Sequence, residues 1–220
     1  MLRSVTVTEV GPRDGLQLIA KPVSTEAKIA WIKALHAAGL RDIEVGSFVS
    51  PRLVPQMADS AAVVAQALRI EGLKVYALAA NLKGAMAAYE AGAHIIVIPL
   101  SASDRHSRAN VNKGTLEHIA AIGDIIEWLR AQPRPVRIDC VTASAFGCSV
   151  AGTVPLGDVV AAAKALALAG ADRITLADTV GHAHPALVRD TVRAVQDAVG
   201  PLLQKLHLHD TMGLGLANAL

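Results

Sequence analysis

Residues 36–45 read HAAGLRDIEV. A run of helix formers stops at Gly39, two residues link, and a β-branched stretch begins at Asp42. The phrase returns as YEAGAHIIVI at 89–98 and as ALAGADRITL at 167–176. Each time a glycine supplies the left-handed turn that ends a helix, and a short strand follows at once. One supersecondary unit is therefore used again and again, and its repetition decides the fold.

Working outward, strands are expected at 4–10, 42–47, 74–79, 94–100, 136–143, 173–178 and 205–210. Helices are expected at 24–39, 60–68, 82–92, 114–132, 156–170 and 185–200, with Ser24 or Thr25 capping the first. Strict alternation with short links implies a parallel sheet with right-handed crossovers. The loops after strands are long and polar (GPRDGLQ, FVSPRLVPQMAD, SASDRHSRANVNK, SAFGCSVAGTVP), whereas those after helices are short. That asymmetry suits a β/α barrel, whose chemistry gathers at the C-terminal ends of its strands. No G-x-G-x-x-G follows the first strand, which argues against a dinucleotide-binding sheet. The expected fold is α/β, a TIM-type (β/α) barrel forming a single domain over 1–220. Eight strands close such a barrel and seven are countable, so the expected barrel is truncated after the seventh strand and lacks its C-terminal β/α unit.

Hydrophobic residues make up 52% of the 220 and aromatic ones only 3%, so the core must be Ala, Val, Leu and Ile, as in strands buried on both faces. The net charge of +2 is spread along the chain and gives no nucleic-acid surface. Cys140 and Cys148 make no disulfide framework. The sequence enters its first strand without a signal peptide. The apolar run VVAAAKALALAGA (159–171) is broken by Lys164 and too short for a bilayer. A cytoplasmic protein with no membrane partner is expected.

Chemistry-bearing residues fall at strand ends: Arg13 and Asp14 after the first, Glu44 and Ser47 on the second, Asp178 on the sixth, His207, His209 and Asp210 at the seventh. Residues two apart on a strand share a face, so His207 and His209 would point together. Two buried bases need partners. A divalent metal is one answer, with Asp14 as a carboxylate ligand; a pair of hydrogen-bonded core histidines is the other. Mixed His and oxygen donors leave Mg, Mn and Zn open. With Asp14 on a metal, Arg13 is available to stabilise an oxyanion, since a guanidinium does not lose its proton. The competing reading pairs Arg13 with Glu44 or Asp178. Those two carboxylates are candidates for base, orienting acceptor or partner of Arg13. Cys148 reads as a small apolar filler.

The phrases EVGPRDGLQ (9–17), IEVGSFVSPRLVPQMAD (43–59), NLKG (81–84), SAS (101–103), FGC (146–148), LADTVG (176–181) and HLHDTMG (207–213) resemble, in order and along the whole chain, the 3-hydroxy-3-methylglutaryl-CoA lyase family. The resemblance implies a metal-dependent β/α barrel that cleaves 3-hydroxy-3-methylglutaryl-CoA to acetyl-CoA and acetoacetate by retro-Claisen chemistry. It implies Asp14, His207 and His209 as metal ligands, with Mg or Mn foremost, and Arg13 as the catalytic arginine. Arg13 and Asp14 would then be two tools aimed at one substrate rather than a salt bridge. Glu44 and Asp178 join Arg13 as expected catalytic residues; Gln17, Ser47 and Asn110 join it as expected substrate contacts. The expected partner is an acyl-CoA, and a homo-oligomer stays open.

The family pattern also has an asparagine ligand and a glycine-rich loop with a catalytic cysteine beyond the H-x-H strand; neither lies within these residues, and Cys148 matches a different cysteine. Leu18 and Ile19 stand where Asn-Glu is usual, DRHSR (104–108) follows SAS where an aromatic is usual, and SVAG (149–152) stands where Pro-Tyr-Glu-Gly is common. A related lyase or synthase for another 3-hydroxyacyl-CoA, or an inactive truncated barrel, is the alternative. Leu16, where synthase relatives carry Glu, favours the lyase branch.

Overall fold

The computed structural model describes residues 5–220. Seven strands follow one another in sequence order in one sheet, and every adjacent pair whose register is known is parallel. Two compact units divide the chain: one runs to Val97 and adds Leu129–Arg137, the other comprises Ile98–Trp128 and Ile138–Leu220.

In the first unit β1 (Thr8–Glu9), β2 (Asp42–Ser47), β3 (Lys74–Leu78) and the start of β4 (Ile95–Ser101) alternate with α1 (Thr25–Ala37), α2 (Ser60–Ala67) and α3 (Leu82–Glu90). Of the first strand expected at 4–10, only Thr8 and Glu9 join the ladder, opposite Asp42 and Ile43. Val5 and Val7 are 85% and 62% exposed, so their alternation with Thr has no buried face to serve; Ser4 lies outside the described residues. Ser24, not Thr25, caps α1, its Oγ accepting from the Ala27 N–H at 3.3 Å. Ile29 and Ile32 of α1 are buried. Lys28 is buried too, and its Nζ donates to Asp59 Oδ1 at 2.5 Å and to the Gln56 carbonyl at 2.6 Å. That ion pair ties α1 to the turn before α2.

β2 matters most for the site. Ile43 and Val45 are fully buried, while Asp42 and Glu44 share the opposite face with Lys74 and Tyr76 of β3. Tyr76 donates to Asp42 Oδ1 at 2.6 Å on that face. Between Glu44 and Gly46 the register shifts, so that Ser47 aligns with Leu78. The bulge at Val45 thereby returns Ser47 to the face of Glu44, where strict alternation would have turned it away.

The second unit completes β4 and adds α4 (Asp104–Val111), α5 (Thr115–Arg130), β5 (Arg137–Ala143), α6 (Leu156–Leu168), β6 (Arg173–Asp178), α7 (Pro185–Val199), β7 (Leu203–Leu208) and α8 (Gly215–Ala219). Helix α4 corrects the expectation of a loop over 101–113. Ser103 caps it, accepting from the His106 N–H at 3.3 Å, and Asp104 pairs with Arg108 one turn on at 2.8 Å. It carries almost no apolar stripe, so hydrophobic periodicity could not announce it. β7 also begins and ends earlier than the expected 205–210, and His209 lies one residue past it. No helix among the described residues is long and apolar enough to cross a membrane.

Register sorts the faces here as well. Asp139, Arg173, Thr175, Lys205 and His207 share one face; Ile174, Leu176 and Asp178 share the other. Asp139 is fully buried and bonds Arg173 Nη2 at 2.5 Å and Thr175 Oγ1 at 2.7 Å. On the remaining face Ile174 and Leu176 are fully buried, as are Leu166 of α6 and Val195 of α7.

Candidate active site

The chain leaves β1 through a single π-helical turn, Gly11–Gly15. Pro12 suits its start, where a backbone N–H would have no partner. Leu16 N–H closes the turn on the Gly11 carbonyl, and Asp14 N–H bonds the Val10 carbonyl at 2.7 Å. Gly11 leaves room for its neighbours: a Cβ there would come 2.9 Å from both Glu9 Oε1 and the Trp31 ring, so one of them would have to shift. Such turns widen the helix and re-aim side chains. This one delivers Arg13 and Asp14 together at the strand tip.

Arg13 is 7% exposed. Its Nε donates to Glu44 Oε1 at 2.8 Å and its Nη2 to Glu44 Oε2 at 3.2 Å, a two-pronged grip that fixes the guanidinium plane. Its Nη1 donates to Asp14 Oδ1 at 2.6 Å. Burial works against the charged guanidinium, but Glu44 and then Asp14 more than offset it, so its pKa is raised above the usual arginine value. The Arg13–Asp14 contact corrects the expectation that these neighbours form no salt bridge. Glu44 serves as the partner of Arg13, and both its oxygens are occupied by that grip. Gln17 places its amide on Asp14 Oδ1 at 2.9 Å. Arg13, Asp14, Gln17 and Glu44 are thus brought together in one unit. Ser47 is buried on the Glu44 face, its backbone clasped by Ser60: the Ser47 N–H donates to Ser60 Oγ, and Ser60 Oγ donates back to the Ser47 carbonyl, each at 3.0 Å.

In the second unit His207 Nε2 and His209 Nε2 stand 3.0 Å apart. His209 Nδ1 lies 3.0 Å from the Thr179 carbonyl, which can only accept. Nδ1 of His209 therefore carries the proton and its Nε2 keeps a lone pair. Two imidazole nitrogens so close, one fixed as an acceptor by a backbone carbonyl, suit a shared cation. Both rings are half-buried, as is Asp14. The donor chemistry fits a divalent ion.

Of the readings open for Asp178, the structure shows that of an acceptor for backbone N–H groups, and Arg13 pairs with Glu44 instead. Asp178 Oδ1 accepts from the N–H groups of Gly181 and His182 at 3.1 and 3.2 Å, and its Oδ2 from Ala183 N–H at 3.0 Å. It is fully buried on the face of Ile174 and Leu176. Its carboxylate builds the turn of LADTVG, and period-two alternation carries the sign that the sequence reading passed over. Gly181, at φ +67°, closes that turn where a Cβ would collide with Thr211 of HLHDT. Asn110 is exposed on α4. Residues that the sequence reading did not single out complete the unit: the Ser144 N–H donates to Thr179 Oγ1 at 2.8 Å, linking the end of β5 to the segment that holds His209. Cys148 is a buried free thiol. Burial raises its pKa, but bonding from Ser103, the N–H groups of Ala151 and Val150, and Ser144 outweighs this and leaves it below the usual value.

Parallel β/α units taken in order, with polar side chains at the strand tips, define a β/α-barrel enzyme carried as far as its seventh strand. The HMGL-like family matches residues 4–220, and the chain belongs to it. A hydroxymethylglutaryl-CoA lyase of Bacillus subtilis is 36% identical over 216 residues, covering 98% of this chain and 72% of that protein. The crystal structure of hydroxymethylglutaryl-CoA lyase from Pseudomonas aeruginosa superposes with a TM-score of 0.91 at 38% identity, over 98% of this chain and 71% of its own. An HMG-CoA lyase from Acinetobacter baumannii, solved with coenzyme A and 3-methylmalate, gives 0.90 at 37% identity, over 97% and 69%.

Proposed function

We propose that the protein is a carbon–carbon lyase that cleaves 3-hydroxy-3-methylglutaryl-CoA to acetyl-CoA and acetoacetate. The observation that carries this reading is Arg13, buried and held in a fixed plane by Glu44 beside the carboxylate of Asp14. Family membership and the lyases to which the chain is similar support it. They do not favour another 3-hydroxyacyl-CoA.

In this reading Asp14, His207 and His209 hold a divalent metal, Mg or Mn. Support comes from the paired Nε2 atoms of the two histidines and from the family, whose lyases are generally divalent-metal dependent. When bound, the ion supplies Lewis acidity that makes the 3-hydroxyl easier to deprotonate. The rest falls to the chain. Loss of the hydroxyl proton breaks the C2–C3 bond, and the electron pair moves to the thioester oxygen as an enolate. Arg13 stabilises that oxyanion, and its fork arrives already oriented because Glu44 holds it. A proton returned to C2 gives acetyl-CoA, and the other fragment leaves as acetoacetate. Glu44 acts here as a positioning residue, and Asp178 shapes the turn beside His209. Gln17 holds Asp14, and Ser47, on the Glu44 face, contacts the substrate. A cytoplasmic location belongs to the same proposal.

The test is to incubate the protein with 3-hydroxy-3-methylglutaryl-CoA and Mg or Mn and to measure both products. Equimolar acetyl-CoA and acetoacetate are expected. Product no faster than from an Arg13→Met variant overturns the reading.

A further inference from the structure

His209 can ligate a cation through Nε2 in one tautomer only. Were its proton on Nε2, that nitrogen would turn an N–H toward His207 Nε2, 3.0 Å away, and have no lone pair for an ion. What keeps the proton on Nδ1 is the Thr179 carbonyl, 3.0 Å from it. That carbonyl belongs to a turn, so it is aimed only as well as its peptide is held. Thr179 is half-buried. Two residues on, Gly181 lets the turn lie so close to Thr211 that a Cβ would collide with it. From β5 the Ser144 N–H donates to Thr179 Oγ1 at 2.8 Å.

Ser144 reaches Thr179 by leaving the strand geometry. Along a regular strand successive N–H groups point to opposite neighbours. The Ala145 N–H donates to the Ala177 carbonyl of β6 at 3.1 Å, so a regular strand would turn the Ser144 N–H away from β6. Its φ of +58° lies in the left-handed region and redirects it. A serine enters that region at a steric cost, and such a conformation persists only where its surroundings over-determine it. Ser144 is fully buried, so its N–H needs an acceptor. Two consecutive amides at the end of β5 thus close on the end of β6, one on a backbone carbonyl and the other on the Thr179 side chain.

We propose that Thr179 is a positioning residue for the metal: its Oγ1, gripped by the Ser144 N–H, fixes the peptide whose carbonyl keeps His209 protonated on Nδ1 and its Nε2 open to the ion. The proposal rests on the metal reading above. The Thr179 side chain acts through its own backbone and not on the ion. A hydroxyl at this position serves, whereas a methyl of the same shape leaves the Ser144 N–H without its acceptor.

Two variants and two readouts test this. Thr179→Val keeps the shape and removes the acceptor; Thr179→Ser keeps the acceptor. The first readout is Mn affinity, from titration followed by the spin resonance of the free ion. The second, taken in EDTA, is the long-range proton–nitrogen NMR spectrum of the imidazoles, which reports the nitrogen of His209 that carries the proton. Thr179→Val is expected to bind Mn about tenfold more weakly and to change His209 in EDTA from the Nδ1–H form to a mixture of tautomers. Thr179→Ser should bind Mn within about twofold of the wild type and keep its spectrum. Unchanged Mn affinity in Thr179→Val overturns the proposal even if that variant melts lower, since it marks a merely structural role. Weaker binding with the His209 tautomer unchanged overturns it too, because Thr179 would then act on the ion itself, and so does an equal loss in Thr179→Ser. If the wild type binds no Mn, the metal reading falls, and the spectra in EDTA decide the present point: a tautomer change in Thr179→Val upholds it, and identical spectra overturn it.

Discussion

Arg13 shows how one side chain can be both structural and chemical. Three of its nitrogens are committed to carboxylate oxygens, two on Glu44 and one on Asp14. Removing one member of a buried pair leaves an uncompensated charge, which costs about 3–5 kcal/mol. Glu44→Gln should therefore lower the unfolding free energy by about 3 kcal/mol in urea denaturation, and a loss under 1 kcal/mol would mean that solvent reaches Arg13. Arg13→Lys keeps the charge but loses the planar fork. Its kcat should fall about a hundred- to a thousandfold, as for removal of an oxyanion donor, with metal affinity unchanged. Near-normal kcat would remove Arg13 from the chemistry. At this scale the sequence was legible where motif and position coincide: Arg13, Asp14, Glu44 and the H-x-H pair all announce themselves. Asp178 was less legible: its position at a strand end suggests chemistry, while its parity with Ile174 and Leu176 sets it on the face away from His207. Around Asn110 the loop that the sequence suggested is a helix, on which Asn110 is exposed.

Elements divide in the same way. Those built on apolar periodicity, such as α1, α6, β2 and β6, lie within a residue or two of where the sequence puts them, because burial sets their period. Those built on polar local bonds do not: the π-helical turn at Gly11–Gly15, α4 and the Asp178 turn all depend on side chains meeting backbone groups. The Asp178 turn carries the most weight, since Thr179 within it bonds both His209 and the Ser144 N–H. Asp178→Ala would leave the N–H groups of His182 and Ala183 without their acceptor, and that of Gly181 with only the Asp178 carbonyl at 3.2 Å. Each hydrogen bond to a charged group is worth about 1.5–3 kcal/mol, so the variant should lose at least about 2 kcal/mol of stability. Hydrogen exchange would report it directly: protection at those three amides should fall more than protection in β6. Unchanged protection would show that the turn is held by its backbone alone.

At the scale of the whole molecule, the repeated phrase around Gly39, Gly92 and Gly170 makes the order and parallel pairing of the strands readable before any coordinates exist. Which polar residues meet is less readable, because it depends on strand parity and on a bulge at Val45 that no sequence pattern marks. The proposed ligand set draws on β1 and β7, the first and last strands of the sheet, so a bound ion should stabilise the native state and not the unfolded chain. A ligand at a hundred times its Kd adds about 2.7 kcal/mol. For a domain of this size that corresponds to a rise in melting temperature of roughly 5–10 °C. Saturating Mn should produce that rise in a thermal scan of the wild type, and EDTA should reverse it. His207→Ala should lose most of the rise while melting near the wild type in EDTA; Asp14→Asn should lose it too, from a lower baseline in EDTA, because it also removes a charge paired with Arg13. The double comparison separates the ligands from the fold: an equal Mn shift in His207→Ala would place the ion elsewhere, and a shift lost in His207→Ala but kept in Asp14→Asn would confine the site to β7.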